Sequence, residues 1–309
     1  MDLYFAGSGS KEGQEEIKRL ECNQLLSYGV NRADAYKWIE FKREHPEYKG
    51  KLFIDSGAHS ISTGVLKVDI YEYMDGYIDF INSTGDAVDI YAELDDVPED
   101  ENADKDRDTF ANSWKYYLYM IERVKPEYRD KVIPVFHFNE DFKGLDMILE
   151  YRHPDTGKPI PYIGLAPRFG SYKVRYHWLK EAFEHIKSSS NPDVKTHAFG
   201  CTILRLLEQF PVTSADSATW AIASAFGNVR IGDHSITISD RTTDKNTNVI
   251  NKNPAFQEEV EKIAKKHGFT LEELAECPYK RQVMTIRELK EWEQNYRCTY
   301  SNIIKKDLW

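Results

Sequence analysis

Asp216 closes the short run Val212-Thr213-Ser214-Ala215-Asp216, and Asp55 closes Leu52-Phe53-Ile54-Asp55 just ahead of a Ser56-Gly57 turn. A strand-like segment that delivers a carboxylate at its C-terminal end is where a barrel enzyme keeps a nucleophile. Two such acids on one rim can divide the work at the anomeric carbon of a sugar, one attacking while the other protonates the leaving group. Each also has a plainer reading. Asp216 would make a good N-cap for a helix starting at Ser217 or Ala218, and Asp55 a good turn former.

Other polar side chains stand where strands should end: Asp95 with Asp96, His137 with Asn139, Gly164 followed by Arg168, and His197. Carboxylates crowded into one mouth push each other's pKa values apart, so that one can stay protonated while its neighbour is an anion. Asp95 and Asp96 lie in the stretch from Glu93 to Asp108, which has nine acids against two bases, so one of the pair is expected to be merely solvated and Asp95 is the better candidate. No set of histidines and cysteines has metal-ligand spacing, and neither a metal nor a cofactor is expected.

The elements that must position these residues alternate between short apolar runs and longer amphipathic ones. Strands are predicted at Leu3 to Ala6, Leu52 to Asp55, Val88 to Leu94, Val132 to Phe138, Tyr162 to Ala166, Lys195 to Gly200, Val212 to Asp216 and Asn228 to Ile231. Ile70, Met74, Tyr77 and Ile81 recur at helical spacing, as do Phe110, Trp114, Tyr117, Ile121 and Val124. Eight strands with helices between them imply a TIM-like (β/α)8 barrel over residues 1–234. The open doubly wound alternative lacks its glycine fingerprint, of which Gly7-Ser8-Gly9-Ser10 is a fragment. Residues 235–253 are polar and without apolar periodicity, a loop or a lid. A helical extension is expected over 254–309, opened by Asn253-Pro254 and followed by capping boxes at Thr270…Glu273 and Thr285…Glu288.

With 41 basic and 51 acidic side chains among 309 residues, the net charge of −10 repels polyanions, and contact with nucleic acid needs a local basic patch. Arg168, Lys173 and Arg175, interleaved with Phe169, Tyr172 and Tyr176, are the candidates to track phosphates. The four cysteines are widely separated, no apolar run approaches membrane-spanning length and no signal segment is evident, so a reducing cytoplasm is expected.

Asp55-Ser56-Gly57-Ala58-His59 resembles the Asp-Ser-Gly-Gly-aromatic motif of the tRNA-guanine transglycosylases, and Leu94-Asp95-Asp96-Val97-Pro98 resembles their Asp-Glu-Cys-Pro segment. Pro134-Val135-Phe136-His137 falls where that family has a strand ending in glutamine. Ile163-Gly164-Leu165-Ala166 is similar to its Gly-Gly-Leu strand, and His197-Ala198-Phe199-Gly200 through Ser214-Ala215-Asp216-Ser217 to its final module. Five weak motifs in the right order cover about residues 50 to 220.

The resemblance implies base exchange, with Asp216 attacking the anomeric carbon, guanine departing and a free deazaguanine base displacing the aspartate. It casts Asp55 as general acid and base and Asp95 as acceptor for the Watson–Crick edge. The Gly164 backbone would meet the exocyclic oxygen, His137 would take the glutamine's place, and His59 with Phe199 would sandwich the base. The family's cysteine-rich zinc motif is missing, which points to the branch in phages and bacteria that places deazaguanines in DNA (DpdA-like). DNA is therefore the expected partner and tRNA the alternative, with a helper protein or a homo-oligomer left open. A glycosidase or nucleoside-processing barrel would use the same acids without a basic strip, and a barrel that has lost catalysis would only bind.

Overall fold

The computed structural model describes residues 1–98, 108–167, 171–201, 203–239 and 254–300. Nine short strands run parallel: β1 (Asp2–Ala6), β2 (Asn23–Ser27), β3 (Leu52–Asp55), β4 (Ile90–Ala92), β5 (Val132–Ile133), β6 (Val135–His137), β7 (Tyr162–Ala166), β8 (Lys195–Ala198) and β9 (Ser214–Ser217). Their order in the sheet is β5-β4-β3-β2-β1-β9-β8-β7-β6. The two ends of that order are one stretch of chain interrupted at Pro134, which has no N–H to give to a ladder. Ile133 pairs with Ala92 on one side and Val135 with Gly164 on the other, so the sheet closes as an eight-position barrel. Glu93 bridges the interruption, its carboxyl oxygen accepting from the Val135 N–H at 2.6 Å.

Helices α1 (Lys11–Arg19), α2 (Arg32–Glu44), α3 (Ala58–Ser62), α4 (Ile70–Thr84), α5 (Thr109–Arg123), α6 (Phe142–Glu150), α7 (Tyr172–Ser188), α8 (Leu204–Leu207) and α9 (Thr219–Ala225) alternate with the strands. The period of α4 shows why they form. Asp69 caps its first turn by accepting from the Tyr71 and Glu72 N–H groups, and Met74, Tyr77, Ile78 and Ile81 are buried on one face. Such side chains fill the layer between barrel and helices together with Trp38, Tyr117 and Leu179, each contributing roughly 1.5–3 kcal/mol by leaving water. A second layer of Tyr4, Leu25, Phe53, Ile90 and Ile133, with Tyr162 and Phe199 packed against it, fills the barrel interior.

One predicted strand lies outside the barrel, and a strand that was not predicted takes its place. Asn228–Ile231 is a strand, β10, but it pairs antiparallel with β11 (His234–Thr237) outside the barrel. The eighth barrel position belongs to β2, whose Asn23 and Gln24 hide the strand pattern. Both are buried because their amides serve the neighbouring backbone: Gln24 Nε2 donates to the Phe5 and Gly7 carbonyls at 2.7 Å, and Asn23 Oδ1 accepts from the Lys51 N–H at 2.9 Å.

Helices α10 (Pro254–Lys266), α11 (Leu271–Glu276) and α12 (Pro278–Asn295) follow. The Thr270/Glu273 capping box is formed. Thr285 and Glu288 instead lie inside α12, where Thr285 is buried and its hydroxyl accepts from the Arg230 N–H. Val229, Ile236 and Ile238 of the hairpin share a small core with Val260, Ala264, Leu274 and Met284. The hairpin thus packs with the C-terminal helices, and Ser235 to Thr237, expected in the polar loop, are strand. Residues 240–253 of that loop lie outside the described residues.

Candidate active site

A cavity of about 900 Å³ opens at the C-terminal ends of the strands, with Asp55, His59, Asp95, His137, Phe199 and Gly200 in its wall. Asp55 is held there by a rigid surround. Tyr77 donates to the Ile54 and Ala92 carbonyls at 3.1 and 3.0 Å, tying the ends of β3 and β4 together, and Tyr73 donates to the Ser56 carbonyl at 2.6 Å. Gly57, at φ +90°, turns the chain where a Cβ would come within 3.0 Å of Gly29, and its N–H donates to Asp55 Oδ2 at 3.0 Å. Burial lifts the Asp55 carboxyl to about 7, with the negative charges of Asp95 and Asp216 adding to the rise.

Asp216 arrives from the far side of the barrel on β9. Because side chains alternate along a strand, Ser214 and Asp216 share the inward face. Asp216 is 7 % exposed. Its Oδ1 accepts from the Gly200 N–H at 2.8 Å and lies 3.2 Å from His197 Nε2. His197 is fully buried, with the rings of Tyr4, Phe53 and Phe199 edge-on at 5.8, 4.7 and 4.5 Å.

Asp95 and Asp96 separate as expected by type but not by solvation. Asp95 lines the cavity with Oδ2 2.8 Å from His137 Nε2. Asp96 is buried against α5, accepting from Asn112 at 2.8 Å while its own N–H donates to Ser113 Oγ. Burial opposes a charge on His137, but hydrogen bonding to Asp95 and Glu140 outweighs it and lifts the imidazole to about 10. Glu140 is fixed in turn by the His137 N–H at 2.8 Å and the Thr109 hydroxyl at 3.0 Å. Asn139, also in the wall, is held at φ +74°, a left-handed conformation rare outside glycine.

Phe199 and His59 both border the cavity, Phe199 half-buried and His59 exposed. Gly164 has a different part from the expected one. Its N–H donates to the Pro134 carbonyl at 2.8 Å within the barrel ladder, which leaves it none to offer a base. A Cβ there would lie 2.5 Å from the Phe199 ring, so the glycine makes room for that ring, and β7 reaches the cavity through Ala166 and Pro167.

The proposed basic strip is also revised. Lys173 is exposed at the start of α7, Arg175 is buried beside Cys201, and Arg168 lies outside the described residues. Among the described residues, His267, Glu288 and Glu291 form a group that could approach a common ion. They stand in the C-terminal helical part, already paired: His267 with Glu288 at 2.7 Å and Glu291 with Lys266 at 2.5 Å.

The sequence named His197 only as a polar residue at a strand end, and nothing in it singled out Glu140, Ser214 or Tyr162. The available signal was the spacing: Ser214 and Asp216 are two apart on one strand and therefore face the same way, and Phe199 follows His197 by two just past the end of its strand.

Fold and site together define a (β/α)8 barrel with an acid-lined cavity at the carboxyl ends of its strands, the end where barrel enzymes carry out their chemistry. No family model matches the chain, and no curated protein matches it. Among the described residues no helix is long and apolar enough to cross a membrane.

Proposed function

We propose that the protein is a base-exchange glycosyltransferase that replaces guanine in DNA with a deazaguanine through a covalent aspartyl-nucleotide intermediate. The observation that carries this reading is the Asp55 carboxyl, lifted to about 7 by burial in a cavity it shares with Asp95 and by the nearby charge of Asp216. An acid half-protonated near neutrality can protonate a leaving base and later accept a proton from an incoming one.

Asp216 attacks C1′ of the nucleotide from one face while the C1′–N9 bond breaks, its electron pair staying with guanine. Asp55 supplies the proton that neutralises the departing base. A deazaguanine then enters, Asp55 takes the proton from its glycosidic nitrogen, that nitrogen bonds to C1′, and Asp216 leaves as a carboxylate. Two inversions retain the configuration. Asp95, with Oδ2 engaged by His137, offers Oδ1 to the N–H donors on the Watson–Crick edge. Phe199 and His59 supply ring surface for a base that has lost a few kcal/mol of stacking on leaving the duplex. DNA is preferred to tRNA on sequence grounds, because no cysteine-rich segment follows the nucleophile.

Mass spectrometry of the intact protein mixed with guanine-containing DNA tests this. A covalent protein–DNA adduct is expected for the wild type and none for Asp216→Ala. An adduct formed on tRNA alone moves the substrate to tRNA, and hydrolysis of a small glycoside with no adduct on either nucleic acid discards base exchange.

A further inference from the structure

An ionised carboxylate only accepts hydrogen bonds, so an anionic Asp216 requires the proton between its Oδ1 and His197 to sit on Nε2, 3.2 Å away. A neutral imidazole that donates from Nε2 must accept at Nδ1, and Ser214 Oγ stands 2.5 Å from that nitrogen. The same oxygen is 2.5 Å from the Tyr162 hydroxyl. Ser214 has a single hydrogen. Giving it to His197 leaves its lone pairs to accept from Tyr162, whose phenol burial keeps in the O–H form. The order Tyr162, Ser214, His197, Asp216 therefore satisfies every group in one direction.

Nothing in this chain is free to turn. The four side chains lie on β7, β8 and β9, with Ser214 paired to His197 across the ladder. The His197 ring is packed by three aromatic neighbours. Asp216 Oδ1 also accepts from the Gly200 N–H at 2.8 Å, so both donors converge on one carboxylate oxygen. A carboxylate held through one oxygen cannot rotate about its Cβ–Cγ bond and presents the other in a fixed direction, the condition for a near-attack geometry.

We propose that Tyr162, Ser214 and His197 form a positioning relay that sets the His197 tautomer, pins Oδ1 of Asp216 and leaves Oδ2 as the oxygen that attacks the sugar. This rests on reading Asp216 as the nucleophile. His197 is a positioning residue here, since it touches Asp216 and not the substrate.

Nitrogen-15 NMR of the full chain labelled at histidine, with His197→Gln assigning the resonance, tests the relay without any substrate. The expected spectrum shows neutral His197 protonated at Nε2 in the wild type and a mixture of tautomers in Ser214→Ala. A proton on Nδ1 alone, a doubly protonated ring, or an unchanged tautomer in Ser214→Ala overturns the proposal. On guanine-containing DNA, the rate of adduct formation should fall roughly 10- to 100-fold in Ser214→Ala with KM unchanged, by analogy with the loss seen when the partner that fixes the tautomer of a metal-bound histidine is removed. Tyr162→Phe, which keeps the ring, should fall less, and wild-type rates in Ser214→Ala again overturn the relay. If the wild type forms no adduct but the tautomers behave as stated, base exchange and the attacking role of Oδ2 fail together, and only the hydrogen-bond order from Tyr162 to Asp216 stands.

Discussion

Asp55 and Asp216 are the same residue type at the ends of two strands of one barrel, yet their surroundings differ in kind. Asp55 has one backbone donor, from Gly57, and faces Asp95 across the cavity, so burial and like charge favour its protonated form. Asp216 gathers the Gly200 N–H and His197 Nε2 on a single oxygen, which fixes its orientation. Two carboxyls at strand ends of one barrel, Asp55 lining the cavity wall and Asp216 buried and not among its lining residues, are thus held differently by their neighbours, with no difference in their own chemistry.

The sharpest way to break this contrast is to neutralise each acid. Asp216→Asn should abolish adduct formation, a loss of at least about 10⁴-fold, because an amide cannot replace the attacking oxygen. Asp55→Asn should cost about 10²- to 10⁴-fold, the range for a general acid. A DNA carrying 7-methylguanine, whose base departs without needing a proton, should restore adduct formation in Asp55→Asn and not in Asp216→Asn. Restoration in both, or in neither, would erase the distinction; single-turnover adduct measurements read it.

Acidity gives the next effect in size. The cleavage half-reaction needs Asp55 protonated, so single-turnover adduct formation should decline above pH 7 by about tenfold per unit. Release of the adduct by the incoming base needs the ionised form and should decline below pH 7. Superimposable profiles for the two half-reactions would refute the assignment of both to one residue.

The smallest effects are on stability. Asp55 is raised from 3.8 to about 7 in the folded chain, so the folded state binds the extra proton between those values and stability falls as pH climbs through that window. Urea melts should show Asp55→Asn more stable than wild type at pH 8 by roughly 1–2 kcal/mol and near parity at pH 4; the full shift would give more, but the cavity is open to solvent. His137 has the same sign in a different window. Raised from 6.5 to about 10, it stabilises fully below pH 6.5 and loses that contribution as pH rises through 10. His137→Gln should flatten the alkaline part of the stability curve by about 2 kcal/mol.

Much of the barrel was legible because strand and helix periods are local. Leu52–Asp55, Tyr162–Ala166 and α4 follow directly from side-chain alternation or 3.6-residue spacing. The β2 strand was not legible, since Asn23 and Gln24 look solvent-exposed until their amides find the backbone of β1 and Lys51. Asn228–Ile231 was recognisable as a strand but not as one outside the barrel, because a strand's own pattern does not name its partner. At the site, the acid-ended strands marked Asp55, Asp95 and Asp216. The commitment of the Gly164 N–H to Pro134 and the burial of Arg175 depend on neighbours more than a dozen residues away.

The sequence by itself determined that strands would end in carboxylates and that helices would return the chain between them, because those properties reside in short stretches of residues. The tertiary structure alone decided that the barrel closes through a proline-broken strand, that Asp55 shares a cavity wall with Asp95 while Asp216 is met by two donors, and that His197 stands behind it. Proton affinity and orientation are set by charges and dipoles across space, and only the folded chain brings those within a few ångströms of each other.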